Sequence, residues 1–134
     1  MNDQKQAALP DIRKHMVFNA SIRKVWEAVS TSEGIATWFM PNDFQAEIGY
    51  EFQMDAGPYG MTSCKVTVLD PPNRLSFTWG EDWTLTFELI EQGDRTEFTL
   101  IHSGWNTGNA VVRDRMDHGW GELQYKLRDY VEGQ

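Results

Sequence analysis

Between Gly108 and Val131 the apolar residues Val112, Met116, Trp120, Leu123, Leu127, Tyr130 and Val131 recur at steps of four, four, three, four, three and one. That spacing predicts one long helix with a continuous apolar stripe, while Arg113, Asp114, Arg115, Asp117, Glu122, Lys126, Arg128 and Asp129 fall largely on the wetted side. At about 1.5 Å per residue such a helix is roughly 35 Å long, against about 20 Å for a strand of six or seven residues, so it can cross a whole sheet face. The stripe needs a cover of comparable length. Gly119, beside Trp120, is expected to let the helix backbone approach that cover closely, at a propensity cost of about 1 kcal/mol.

The cover lies upstream. Met1 to Pro10 is polar and aperiodic and reads as a flexible tail, leaving residues 11–134 as a single domain. From Asp11 to Phe18, Ile12, Met16 and Phe18 share a parity, as in a first strand. Ser21 can cap a short helix with the apolar face Ile22, Val25, Trp26 and Val29, and Thr31 or Ser32 a second with Ile35, Trp38 and Phe39, stopped at Pro41. From Phe44 the period becomes two. Tyr50, Phe52 and Met54 alternate with polar residues, and Gly57 to Gly60 turn the chain. Thr62, Cys64, Val66 and Val68 share the next face until Pro71, Pro72 and Asn73 break it. Leu75, Phe77 and Trp79 are followed by a turn at Gly80 to Asp82, then Trp83, Leu85, Phe87 and Leu89, and finally Thr96, Phe98, Leu100 and His102. Strands joined by such short turns are antiparallel, with one face in the core.

A chain of 134 residues supports one real core. Twelve Lys and Arg against twenty Asp and Glu give a net charge of −8, with no basic cluster, which argues against nucleic acid as a partner. No apolar run is long enough for a signal peptide or a stable membrane span, and the lone Cys64 cannot form an intramolecular disulfide, so a cytoplasmic setting is expected. Seven Phe, six Trp, four Tyr and six Met are more than a small core requires, and such side chains also line pockets for apolar ligands.

The elements therefore read strand, two short helices, some six antiparallel strands, long helix. This is an α+β architecture in which a curved sheet of about six to seven strands wraps the C-terminal helix. Val25-Trp26 and Trp38, Gly49 with Phe52, Asp70-Pro71-Pro72-Asn73-Arg74-Leu75 running to Phe77 and Trp79, Thr96 to Gly104, and Gly119-Trp120 with Leu123, Leu127 and Tyr130 occur in this order. In that order the chain resembles the helix-grip fold of the START-like (Bet v 1-like, SRPBCC) superfamily, and within it the family related to the activator of Hsp90 ATPase. The resemblance covers nearly everything after the tail. It implies a cavity between the long helix and the sheet, used in many members for lipids, sterols or plant phenolics.

Alternation and helical spacing supply a lining for such a cavity: Trp38, Phe52, Met54, Cys64, Val66, Phe77, Trp79, Leu85, Phe87, Phe98, Leu100, Met116 and Trp120, with His102 as the one polar group sent inside. The competing reading is an ordinary packed core. An empty apolar void of about 300 Å³, at about 24 cal/mol per Å³, costs on the order of 7 kcal/mol. A typical net stability is about 5 to 15 kcal/mol, so a sizeable space implies ligand or ordered water.

His102 is read either as a group that orients a ligand's polar end or as an acid or base, against a core histidine bonded to a backbone carbonyl or to Ser103. His15 and His118 read as surface groups, and no histidine spacing suits a metal. Ser103 adjoins His102, yet strand neighbours face opposite ways unless Gly104 bends the chain. Glu81 and Asp82 read as a solvated hairpin tip or guards of a pocket mouth, and Trp105 as a lid or a plug. Asn106 or Thr107 can cap the long helix. No phosphate-binding glycine loop, metal site or cofactor is expected.

The leading expectation is a small intracellular protein that binds an apolar or amphipathic small molecule. An Hsp90-type co-chaperone comes second, because the resemblance to eukaryotic activators covers only their C-terminal domain. An enzyme of cyclase or hydrolase type using His102, with Trp38 and Trp120 enclosing the substrate, ranks last for want of a legible acid and base pair. A homodimer could form through exposed sheet edges, or through Trp105 if it projects outward.

Overall fold

The computed structural model describes residues 7–133. Strand β1 (Ile12–Phe18) leads into helices α1 (Ile22–Val29) and α2 (Ser32–Trp38), followed by β2 (Glu51–Asp55), β3 (Met61–Asp70), β4 (Arg74–Trp79), β5 (Trp83–Gln92), β6 (Arg95–Ser103) and helix α3 (Ala110–Glu132). Among the described residues six strands form one antiparallel sheet in the order β1-β6-β5-β4-β3-β2, with β1 and β2 at its edges.

Local chemistry explains the boundaries. Ser21 and Thr31 accept hydrogen bonds from the backbone N–H groups of Lys24 and Gly34, each satisfying a donor that the first helical turn would leave unpaired. The two short helices meet closely: a Cβ on Gly34 would lie 2.7 Å from the carbonyl oxygens of Glu27 and Ala28. The Trp38 indole donates to the Ala28 carbonyl at 2.9 Å across the same corner. At the start of α3 a 3₁₀ turn, Thr107–Asn109, is closed reciprocally. Asn106 Oδ1 accepts from the Gly108 N–H, and Asn109 Oδ1 accepts from the Asn106 N–H.

Helix α3 runs alongside β1. Arg113 Nε donates to the Pro10 carbonyl at 2.9 Å, Lys14 Nζ sits 2.8 Å from Asp117, and the Asn19 N–H donates to Glu132 at 2.7 Å. Trp120, Leu127 and Val131 are its buried residues. The stripe is shorter than its periodicity suggests, because Val112 is 39% exposed and burial begins only at Met116, where the helix comes over the sheet. Gly119 makes no close approach either, since an added Cβ would meet nothing within 4 Å. Long side chains, rather than backbone proximity, fill the space beneath that turn.

Two further departures have local causes. A bulge between Val66 and Val68 shifts the register of β3 against β4, so Val68 turns to solvent and Leu69 packs against the core instead. Phe44 is buried from a loop rather than a strand, its N–H held by Asn42 Oδ1 at 2.9 Å. Of the segment expected to be a flexible tail, residues 1–6 lie outside the described residues. Residues 7–10 are tied down: the Leu9 N–H donates to the Trp105 carbonyl, the Thr107 N–H to the Ala7 carbonyl, and Ala8 pairs with Asn106.

Candidate functional site

Alternation along β2 to β6 sends every strand residue expected to line a cavity to the buried face of the sheet. Phe52, Met54, Cys64, Val66, Phe77, Trp79, Leu85, Phe87, Phe98, Leu100 and His102 are all buried there, joined by Trp38 from α2 and Trp120 from α3. Met116 is half-buried at the rim. The structure divides this set into two runs of rings. One passes through Phe44, Phe52, Phe77, Phe87, Phe98 and Phe18, with successive centroids 5.2 to 6.0 Å apart, and is a packed floor. The other surrounds His102.

Four indoles are in ring contact with His102: Trp105 at 4.6 Å, Trp83 at 4.9 Å, Trp79 at 5.5 Å and Trp120 at 6.0 Å between centroids. Phe39 closes the group, 5.0 Å from Trp120 and 5.5 Å from Trp79, and stacks on Trp38, which links the two runs. The space between α3 and the sheet is thus occupied by rings. Two open depressions, of about 340 and about 310 Å³, lie elsewhere. The first is lined by Glu51, Gln53, Ser63, Lys65 and Thr78, polar residues that alternate to the outer side of β2, β3 and β4, together with Phe52, Cys64 and Gly80.

His102 is completely buried, and its partners differ from both expected ones. Its Nδ1 accepts the Trp120 indole N–H at 2.9 Å, and its backbone carbonyl accepts the Trp105 indole N–H at 2.9 Å. An indole nitrogen only donates, so Nδ1 must present its lone pair. Burial among these rings pushes the imidazole pKa from 6.5 down to about 3. The ring is therefore neutral near pH 7 and carries its proton on Nε2. That atom has no hydrogen-bond partner; among the described residues the other buried side-chain atoms in this condition are Trp83 Nε1 and Gln124 Oε1. A neutral imidazole in this tautomer can donate from Nε2, but its one basic lone pair is already engaged by Trp120.

The remaining candidates are placed apart. Ser103 faces the other side of the sheet, its Oγ 3.4 Å from the Thr84 carbonyl, so the bend at Gly104 does not bring it to His102. Glu81 and Asp82 are exposed at the β4–β5 hairpin tip, with the Asp82 backbone pressed against Gly104. Trp105 is only 3% exposed, a plug that offers no outward surface for a dimer. His15 and His118 lie at the surface beside Glu97 and Glu122. Cys64 is buried, and loss of solvation pushes its thiol up to about 12. Trp83, Trp105 and Phe39 are the site residues that a sequence-level lining omits, Trp105 being expected only as a lid or a plug. Trp83 shares the inward parity of Leu85 and Phe87, a signal that was legible; Phe39, expected on the apolar face of the second helix, lies just past the end of α2 as its C-cap.

Comparison with known proteins places this geometry in context. The family model described as activator of Hsp90 ATPase homolog 1-like protein matches residues 19–132. The solution structure of protein BH1534 from Bacillus halodurans is 48% identical, covers 94% of this chain and 99% of its own, and superposes with a TM-score of 0.86. The Aha1 dimer from Colwellia psychrerythraea is 19% identical, covering 92% of this chain and 97% of that one at a TM-score of 0.81. CalU16 from Micromonospora echinospora is 22% identical, covering 96% and 81% at 0.78. At these lower identities the likeness is one of fold. Among curated proteins nothing matches.

Proposed function

Because the chain belongs to the family of activator of Hsp90 ATPase homolog 1-like proteins, we propose that it is a small cytoplasmic binding protein that takes up an apolar or amphipathic molecule between α3 and the sheet, at the His102 end. One observation carries this reading. A fully buried imidazole, walled by four indoles, keeps a polar atom unpaired where an ordinary core would pair it or replace it. Uptake needs rings to move, and the means are at hand. Phe39 and Met116 are half-buried and make no side-chain hydrogen bond, whereas Trp105 and Trp120 are pinned by theirs. Met116 has three rotatable bonds and readily accommodates new neighbours.

The experiment is native mass spectrometry of freshly purified protein, followed by thermal unfolding with a sterol, a fatty acid and a polyphenol. A ligand at about a hundred times its Kd stabilises by about 2.7 kcal/mol, which raises the Tm of a chain this size by roughly 5 to 10 °C. If no small molecule is retained and none of the three moves Tm, the reading fails. The same spectra report subunit number, which tests a homodimer through the β1 or β2 edge.

The family description favours a second reading, an Hsp90-type chaperone as partner. A pull-down with Hsp90 that gives no saturable binding removes it.

A further inference from the structure

The hydrogen bond between Trp120 and His102 depends on the one basic atom of the imidazole. Nδ1 accepts the Trp120 indole N–H at 2.9 Å, and an indole nitrogen only donates, so a proton taken up at Nδ1 turns the acceptor into a second donor facing the first. The contact then changes from attraction to repulsion. The other ring nitrogen gives no way out, since Nε2 already carries a proton and has no partner. We propose that this bond is an acid-released latch: protonation of Nδ1 breaks it and lets the Trp105 roof and the N-terminal half of α3 lift from the sheet, while the floor of phenyl rings stays packed. The latch is a property of the fold and operates with or without a bound molecule.

The closed state is poised for such an opening. His102 Nε2 and Trp83 Nε1 are both buried without a partner, so water reaching the cluster satisfies two donors at once. The N-terminal half of α3 also has the least to lose. Val111 and Val112 are exposed, Met116 is half-buried, and Trp120 is the first buried residue of the helix. Leu127 and Val131 anchor the other half, where Glu132 accepts the Asn19 N–H. A segment with few buried contacts opens at a lower free energy than the whole domain. No charged group rivals the imidazole in this role. Around it stand Ile12 from β1, Trp79 from β4, Trp83 and Leu85 from β5, Trp105 and Trp120, none of them ionisable. The charges on the same elements are engaged elsewhere or exposed: Asp117 pairs with Lys14, Arg74 with Glu88, Arg113 holds the Pro10 carbonyl, and Arg13, Glu81 and Asp82 face solvent. His15 and His118 lie at the surface beside Glu97 and Glu122, where an added proton strengthens a pair and so acts in the opposite sense.

Hydrogen exchange followed by ¹⁵N-resolved NMR tests the latch on the wild-type protein. Exchange of the Trp105 and Trp120 indole N–H groups, relative to free tryptophan at the same pH, reports lifting of the roof and helix. Exchange of the backbone amides of Phe77 and Phe87, buried in the central strands, reports opening of the whole sheet. An imidazole released into water has a pKa of about 6.5, and each pH unit below that favours the released form about tenfold, so protection of the two indoles should fall about 30-fold between pH 7.5 and pH 5. At both pH values the indoles should be at least about tenfold less protected than the two amides, as a local opening requires. His102→Leu has no basic nitrogen and should abolish the pH dependence of the Trp105 and Trp120 exchange. A Trp120 indole as protected as the Phe77 amide at both pH values means that only global unfolding frees it, and overturns the latch. Protection that does not change with pH in the wild type, or a fall of the same size in His102→Leu, overturns it equally. If His102→Leu does not fold, the comparison of indoles with amides in the wild type decides alone.

Discussion

The indole of Trp120 on α3 and the imidazole of His102 on β6 are joined by a 2.9 Å hydrogen bond at the centre of the protein, and this contact sets the chemistry of the buried histidine. It links the helix to the sheet across a space otherwise filled by apolar rings. It also chooses the tautomer, leaving Nε2–H as a donor.

Replacing Trp120 by Phe removes the donor and strands Nδ1 in the core. We expect a loss of about 2 to 4 kcal/mol in urea unfolding, the sum of an unpaired buried acceptor and the smaller ring. The imidazole proton should then distribute over both nitrogens, visible as exchange-averaged ¹⁵N shifts.

Acid should weaken the fold through the same residue. The pKa of His102 is about 3 when folded and about 6.5 when not, so the unfolded chain binds the proton first. Its contribution is fully present above pH 6.5 and is lost as pH falls from there toward 3, at about 1.4 kcal/mol per unit. Between pH 6.5 and 5 the wild type should lose about 2 kcal/mol more than His102→Leu, compared by unfolding curves at each pH.

Cys64 should be chemically silent in the folded protein. A buried thiol with its pKa raised to about 12 has little thiolate at pH 8. Labelling by iodoacetamide should therefore follow unfolding, speeding up only as denaturant opens the sheet, and rapid labelling of native protein would contradict the burial.

Gly104→Ala should be among the most damaging small changes. Its φ is +106°, and an added Cβ would collide with the Asp82 carbonyl at the β4–β5 hairpin. Strain plus displacement of the hairpin should cost about 2 to 4 kcal/mol. Gly119→Ala, which meets open space on a helix, should be neutral or stabilise by up to about 1 kcal/mol in the same assay.

These two glycines show where sequence reasoning reaches and where it stops. The inward set from Phe52 to His102 was legible because a strand's period is two and one face is apolar, a local pattern that needs no knowledge of neighbours. Ser21 and Thr31 announced their caps for the same local reason, whereas Asn106, expected to cap the long helix, caps the 3₁₀ turn before it, and α3 itself starts after Asn109 with no side-chain cap. Close approach at Gly34 and Gly104, and its absence at Gly119, depends on what lies opposite in space. So does the partner of His102, eighteen residues away on another element. The Val66/Val68 bulge reverses parity without any Gly or Pro to mark it, and the ring cluster replaces the open cavity because Trp83, Trp105 and Phe39 arrive from three separate segments.

Residues 7–10 hold the stretch from Trp105 to Thr107 by backbone bonds, and Arg113 grips the same strap through the Pro10 carbonyl. Residues 7–10, the roof above His102 and the first turn of α3 therefore form one mechanical unit. A bulky fusion grafted immediately before Leu9 would pull on that unit, so a reporter intended to leave the ring cluster undisturbed belongs after Glu132 instead.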